Sequence, residues 1–425
     1  MITYSEALAI LTASARDRRL PVEWVPLDQT LGRVVGQEVR GAEAIPGFDN
    51  SAMDGFAVSS EATQMASAEH PVRLRVLGTI MAGDRITERP GTRRENCFEI
   101  MTGAPMPEGG RAGALNAVVK IEDVVVHRAS DGRPESIELK RALKPFENVR
   151  ERGEDFAEGQ TIFRPGTQLA PEHLMAAASL GLAKLPVIRR PRLAFLSTGD
   201  ELVPYTTREL EPGQIRNSTA PYLVAAGPRF GAECRTYGVV GDSPEDFLKR
   251  LHAMTDDGAD VIVTTGAVSM GKCDFIKEAL EHAGALIRYH KVAIRPGKPG
   301  LFAELPSPGR PVVFGVPGNP ISTVVGLRFF ISPYLRMLAG QPAELPLRAR
   351  LAAPAPKPEG LRCFFKARLE CGPEASKVTA LHGQPSFMVS SLLEANAWVV
   401  FPEAGREAVE GTEVDVYPIF PTEDR

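Results

Sequence analysis

Between residues 260 and 320, short apolar runs alternate with loops rich in glycine and small residues, and this alternation restricts the chain more than any other feature. The runs 261–263 and 312–314 are wholly apolar, and each is followed by small residues and then a helical pattern. Such runs read as central strands of an α/β sheet, covered on both faces. Three loops lie in or beside them: TTGAVSMGKCDF (264–275), KVAIRPGKPG (291–300) and VFGVPGNPIS (313–322). Loops at the carboxyl ends of such strands, opening helices, are where α/β sheets bind phosphorylated ligands. Lys291, Arg295 and Lys298 place three cations within eight residues, and Asp274 adds a carboxylate as a candidate metal partner. The stretch reads as a site for a multiply charged anionic substrate with a divalent cation.

The chain has 425 residues, too many for one ordinary core, so two to four domains are expected. Its 43% hydrophobic and 24% charged residues describe a soluble globular protein. A net charge of −4 argues against binding nucleic acid through overall charge. The start, MITYSEALAI, lacks the basic region of a signal peptide. No apolar run approaches the ~20 residues of a spanning helix, so no membrane partner is expected. Cys97, Cys234, Cys273, Cys363 and Cys371 show no Cys-x-x-Cys spacing and read as reduced thiols, which points to the cytoplasm.

Along the chain, Thr3 and Glu6 form a capping box before an amphipathic run to about Ala15. From 46 to about 126 no helical period is sustained; short β-rich runs (73–77, 116–121, 124–127) indicate a small β domain. A helix is expected over about 171–180. From 192 to about 337 strands and helices alternate with short connections, which predicts a largely parallel sheet with helices on both faces. Within it, Pro221 is expected at the first position of a helix ending at Ala226, and Asp242 or Ser243 at the cap of the next. Residues 340–346 read as a linker, and the chain beyond 347 is β-rich again.

Gly266 to Gly271 follows a strand and precedes a helix, so its backbone N–H groups can approach an anion, with a plain tight turn as the competing reading. It is no P-loop, because no Gly-Lys-Ser/Thr follows. Arg295 and Lys298 flank the turn dipeptide Pro296-Gly297 and either converge on one ligand or form a solvated basic loop. Ser197, Thr198, Gly199, Asp200 and Glu201 follow another buried strand and suit Mg²⁺ or substrate hydroxyls, or else form an Asx-type turn. The segments 51–55 and 101–105 each bring a polar residue beside glycine, and singly each reads as a turn. No dinucleotide fingerprint, nucleophile elbow or His-Glu-x-x-His helix is present.

Taken in order, these strings resemble the molybdopterin molybdenumtransferase family, that is, bacterial MoeA and the E domain of gephyrin. The series is PGFDNSAMDGFAV (46–58), IMTGAPMPEG (100–109), RERGEDF (150–156), LSTGDEL (196–202), GQIRNS (213–218), the three loops above, and QPSFMVSSLLEANAWVVFP (384–402). The resemblance implies an elongated, four-domain, multidomain α/β and β fold. A discontinuous domain (1–44 and 140–177) carries an inserted β domain (45–139). A molybdopterin-binding α/β domain (178–339) with three layers and a mostly parallel sheet follows, then a C-terminal β-barrel (340–425). It also implies a homodimer with its cleft between the α/β domain of one subunit and the β domain of the other.

The implied activity is the last step of molybdenum cofactor synthesis, in which molybdate and adenylylated molybdopterin react with Mg²⁺ and AMP is released. Carried over by motif, Asp54, Thr102, Asp155, Glu201, Asp242, Asp274, Lys291 and Lys298 are expected in catalysis, with Glu201, Asp242 and Asp274 on the metal. Arg150, Ser197, Thr198, Gly199, Asn217, Gly266, Ser269, Gly271, Arg295, Pro317, Asn319 and Ser386 are expected around the substrate. Implied partners are an upstream molybdopterin adenylyltransferase and downstream molybdoenzymes or their chaperones. The chain departs from the family pattern at Ala267, where a glycine is usual, and at Thr219, Arg295, Cys273 and Pro385; residues 109–116 are also longer than usual. The first two substitutions motivate an alternative, a non-catalytic carrier of molybdopterin or finished cofactor.

Overall fold

The structure is a computed structural model that describes residues 1–425 except 86–93, 108–114, 268–274, 307–310, 373–374 and 422–425. The chain forms two compact units. One comprises Glu38–Arg164 and Glu172–Ala183; the other comprises Met1–Gln37, Pro165–Pro171 and Lys184–Arg425.

The first unit is built on a six-stranded sheet in the order Ala117–Lys120, Gly55–Val58, Asn96–Ile100, Val72–Ile80, Pro134–Leu139, Val124–Arg128. All neighbours are antiparallel except Val72–Ile80 with Asn96–Ile100. Side chains alternate across a strand. Phe56, Val58, Cys97 and Val119 therefore enter one apolar cluster, while Ala57, Phe98, Ile100 and Val118 enter another. Gly55 has no alternative, since a Cβ there would lie 1.9 Å from the Val119 carbonyl oxygen. Short antiparallel pairs, Asn50–Ser51 with Val149–Arg150 and Val39–Arg40 with Thr161–Phe163, and the Pro171–Ser179 helix complete this unit.

The second unit contains the alternating sheet, in the order Glu233–Val240, Arg192–Thr198, Val261–Thr265, Val312–Val316, Leu301–Glu304, Leu286–His290. The first three pairings are parallel and the last two antiparallel. The sheet is thus parallel only over four strands. Ten residues, 291–300, join Leu286–His290 to Leu301–Glu304, fewer than the dozen or more that a parallel crossover takes. Two buried clusters cover its faces. One includes Leu11 of the Tyr4–Arg16 helix and Phe329, Tyr334 and Leu335 near the C-terminal half of the sheet's last helix. The other includes Phe247 and Leu251 of the Pro244–Asp256 helix and Ile276 and Leu280 of the Ile276–His282 helix.

The capping box is present, with Thr3 accepting from the Glu6 N–H and Glu6 accepting from the Thr3 N–H. Ser243, rather than Asp242, caps the Pro244–Asp256 helix, because its hydroxyl accepts from the Asp246 N–H. Pro221 is the third residue of the Thr219–Ala226 helix, not the first, still within the turn whose N–H groups need no intrahelical partner. Pro320–Leu338 spans 19 residues and is long and apolar enough by composition to cross a membrane, yet most of it is buried within the fold. Its middle turn, Leu327–Ile331, is π-helical. The barrel orders Arg362–Glu370, Lys377–Ala380, Leu347–Leu351, Glu413–Pro418 and Ala397–Phe401, and closes when the last pairs with the first. Ile294–Arg295 adds to its edge beside Arg362–Cys363, which ties the 291–300 loop to the barrel.

Candidate active site

Three of the loops singled out in the sequence meet at the carboxyl ends of the parallel strands. Gly266 follows Val261–Thr265 at φ +98°, and its N–H donates to the Val316 carbonyl at 3.0 Å. A Cβ on Gly266 would stand 2.5 Å from the Thr198 carbonyl oxygen, so only glycine lets these strand ends converge. Gly318 comes from the next loop, and a Cβ there would lie 3.5 Å from the Gly266 Cα. Together with residues 294–299 these loops line a cavity of about 570 Å³, to which the barrel contributes Leu361 and 384–387. Its lining includes Arg295 and Lys298, both exposed, and no carboxylate among the described residues.

The start of the Pro320–Leu338 helix also lines the cavity. Asn319 stands at its N-cap and lines the cavity, and its side chain makes no capping hydrogen bond. Aligned peptide dipoles place about half a positive charge at such an end. One guanidinium, one ammonium, a helix N-terminus and close backbone approach form an anion pocket, and no carboxylate among the described lining residues cancels that charge.

Of the residues expected around the substrate, Gly266, Arg295, Pro317, Asn319 and Ser386 line this cavity, as does Lys298 from the expected catalytic set. Ser197, Thr198 and Asn217 do not; they are buried beneath the strand ends in one polar network. The Asn217 amide donates to the Ser197 hydroxyl at 2.9 Å, the Thr265 hydroxyl donates to Ser197 at 3.2 Å, and the Thr198 hydroxyl donates to the Thr265 carbonyl at 3.2 Å. Thr219 closes the network by donating to Asn217 Oδ1 at 3.1 Å, so the threonine there leaves no gap. Lys291 is half-buried at φ +73° and is not part of the cavity lining.

Of the acidic candidates, Glu201 follows Arg192–Thr198, and Asp242 follows the neighbouring strand Glu233–Val240. Gly199 has φ +142°, and the Glu201 carboxylate oxygens lie 2.5 and 2.8 Å from where its Cβ would be. Asp200 Oδ1 accepts from the Asp242 N–H at 3.1 Å. Among the described residues no three Asp, Glu, His or Cys side chains form a metal-holding group. Ser269, Gly271 and Asp274 lie outside the described residues.

In the other unit, Asp54 Oδ1 accepts from both the backbone N–H and the hydroxyl of Thr102, each at 2.7 Å. These two bonds hold the exposed Asp54 carboxyl below its ordinary range, so it stays ionised. Arg150 pairs through its backbone with Asn50, and the Asp155 N–H donates to the Ile45 carbonyl; both side chains are exposed.

In the pocket, Ala267 and, apart from Ser386, the barrel loop were not expected as site residues. Ala267 lines it at φ +47°, a left-handed conformation that suits the glycine usual there. The barrel loop enters it too: the Ile321 N–H donates to the Ser386 carbonyl at 2.9 Å, which docks that loop on the first turn of the helix. No local pattern marks 384–387 as part of an anion site, because the cations and the helix it completes lie some 60 to 90 residues earlier in the chain.

Comparison with known proteins agrees with this arrangement. Residues 2–181 match the MoeA N-terminal region (domain I and II), 194–337 a probable molybdopterin binding domain, and 348–419 the MoeA C-terminal region (domain IV). A molybdopterin molybdenumtransferase from Synechococcus elongatus is 38% identical over 416 residues, 98% of this chain and 99% of its own. Molybdopterin molybdenumtransferase 2 from Mycobacterium tuberculosis is 37% identical over 404 residues, covering 93% and 94%. The crystal structure of the molybdopterin biosynthesis MoeA protein from Pyrococcus horikoshii OT3 superposes with a TM-score of 0.80 at 27% identity, over 98% of this chain and 99% of that one. With its three matched regions in order and relatives aligned nearly end to end, the chain belongs to the MoeA family of molybdopterin molybdenumtransferases.

Proposed function

We propose that this chain inserts molybdenum from molybdate into adenylylated molybdopterin, with Mg²⁺, and releases AMP. The observation that carries the reading is the pocket where Arg295, Lys298 and a helix N-terminus meet with no carboxylate among the described lining residues. Both reactants are anions, and such a pocket binds them by charge and by backbone N–H groups. Arg295 offers a planar fork to phosphate oxygens, and Lys298 a point charge. Gly266, Asn319, Pro317 and Ser386 shape the space around the phosphate, and the buried Ser197, Thr198 and Asn217 network holds the strand ends in place.

Glu201 and Asp242, with Asp274, are the oxygen donors that would hold Mg²⁺. By donor chemistry Glu201 and Asp242 suit it, because Mg²⁺ takes oxygen ligands and needs only one or two carboxylates when water and substrate phosphate supply the rest. Bound there, the ion would neutralise charge on the phosphate bridge. No protein nucleophile is required: a molybdate oxygen attacks the adenylyl phosphorus, the bridging P–O bond breaks with its electron pair going to the molybdopterin phosphate, and the Mo–O bond to the attacking oxygen then breaks, so that AMP leaves with that oxygen while the dithiolene sulfurs replace it on the metal. Asp54, held ionised by Thr102, with Asp155 and Arg150, forms a second set of candidate groups, and Lys291 a further cation. We further propose a homodimer in the cytoplasm that receives substrate from a molybdopterin adenylyltransferase and passes cofactor to molybdoenzymes or their chaperones. The free thiols at Cys97, Cys234, Cys363 and Cys371 are consistent with a reducing compartment.

The test is direct. Purified protein given adenylylated molybdopterin, molybdate and Mg²⁺ should release AMP, read by chromatography, and form metallated cofactor. Cofactor binding without AMP release, under conditions in which a relative turns over, favours the carrier and overturns the proposal. Arg295→Ala with Lys298→Ala should raise KM for the adenylylated substrate by about tenfold or more.

A further inference from the structure

The wall that the barrel contributes to the pocket is a loop, and what holds it is a buried amine. Lys366 lies on Arg362–Glu370, on the strand face opposite Cys363, Phe365 and Ala367, which fill the barrel core. Its side chain is fully buried. The ammonium donates to the carbonyls of Gly383 at 2.6 Å and Met388 at 2.9 Å, the two ends of the loop that carries Pro385, Ser386 and Phe387 into the cavity. Gln384, within the loop, is read by the same residue's backbone: its Oε1 accepts from the Lys366 N–H at 3.0 Å and its Nε2 donates to the Lys366 carbonyl at 2.9 Å. Ser391 reinforces the clamp, donating to the Gly383 carbonyl at 2.8 Å.

A lysine is a poor choice for stability alone. Burying an ammonium group is unfavourable unless a charge partner offsets it, and among the described residues no carboxylate pairs with Lys366. Burial accordingly pushes its pKa down to about 8. An apolar residue of equal length would fill the same space but would leave the two end carbonyls to the Ser391 hydroxyl alone. The loop is also tied by Ser391, by Gln384 and by the Ile321 N–H donating to the Ser386 carbonyl, and that last bond needs the loop already in place.

We propose that Lys366 is a positioning residue of the substrate pocket: it draws the two ends of the 383–388 loop together and thereby sets Ser386 and Phe387 against the helix N-terminus where the adenylylated substrate binds. The proposal rests on the pocket reading above and adds a specific residue that acts through the loop rather than on the substrate.

Lys366→Met keeps the length and removes the donors. It should raise KM for adenylylated molybdopterin about five- to tenfold while kcat stays within about twofold, since the loss is of binding geometry. Ser391→Ala, a milder change, should raise KM about two- to threefold and serves if Lys366→Met fails to fold. Val378→Ala is the control; Val378 is fully buried in the barrel core and is not part of the cavity lining. It should lower the melting temperature yet leave KM unchanged. An unchanged KM in Lys366→Met, or an equal rise in Val378→Ala, overturns the positioning role. If the unaltered protein releases no AMP, it is the proposed activity that fails. Calorimetric Kd values for molybdopterin, compared between the unaltered protein and Lys366→Met, then decide the role of Lys366 by the same criterion.

Discussion

Removing Glu344 should cost this protein more than any surface ion pair could. Arg328 sits in the π-helical turn of Pro320–Leu338 with 2% of its side chain exposed, and Glu344, at 13%, meets it with both oxygens, at 2.7 and 2.6 Å. The Arg328 Nε also donates to the Pro418 carbonyl at 3.1 Å, so one guanidinium joins the last sheet helix, the segment expected as a linker and the final barrel strand. Glu344→Ala leaves a buried charge uncompensated, which costs about 3–5 kcal/mol, whereas a surface pair is worth about 0–1 kcal/mol. At roughly 2–4 °C per kcal/mol for a large domain, the melting temperature should fall by about 6–20 °C. Replacing both partners, Arg328→Met with Glu344→Leu, removes the charge with its counterion and should recover most of that loss. Differential scanning calorimetry of both variants checks the argument. A Glu344→Ala protein within about 1 kcal/mol of the original, or a double variant less stable than the single, would refute it.

Other substitutions probe the backbone and the buried amine. Ala267→Gly relieves a left-handed alanine and should raise stability by about 0.5–1 kcal/mol; a lower melting temperature would mean that the Cβ packing of Ala267 against the Phe247 side of the sheet outweighs the strain. Gly55→Ala forces a methyl to within 1.9 Å of a carbonyl oxygen and should leave little folded protein in the first unit, read by circular dichroism. Lys366 has a folded pKa of about 8, below its unfolded value, so between about pH 8 and 10.5 the unfolded chain holds the extra proton and this residue's contribution to stability rises with pH. The stability of the original protein relative to Lys366→Met should therefore grow over that window, in urea titrations at several pH values; a flat difference contradicts the burial of a charged amine.

Much of the α/β sheet could be read from the chain because its signals are local. Buried strands such as Val261–Thr265 announce themselves as apolar runs, and Thr3 with Glu6 marks a helix start within four residues. The glycine at 266 was legible as a site of close backbone approach for the same reason. The antiparallel edge was not, since Leu286–His290 has a strand's composition whichever way its neighbour runs, and only the length of 291–300 decides the direction. Nor was the Asp54 and Thr102 pairing, which joins residues 48 positions apart.

By itself, the sequence determined the family, the ordered motifs, and the cations and helix start that make an anion pocket, because each of these lies in a few consecutive residues. Only the tertiary structure decided which of those residues line the cavity, which retreat into the buried network beneath it, and that a barrel loop tied by Lys366 forms its far wall. The physical reason is that burial, hydrogen-bond pairing and pocket geometry belong to pairs of residues brought together by packing, and no run of neighbouring residues encodes them.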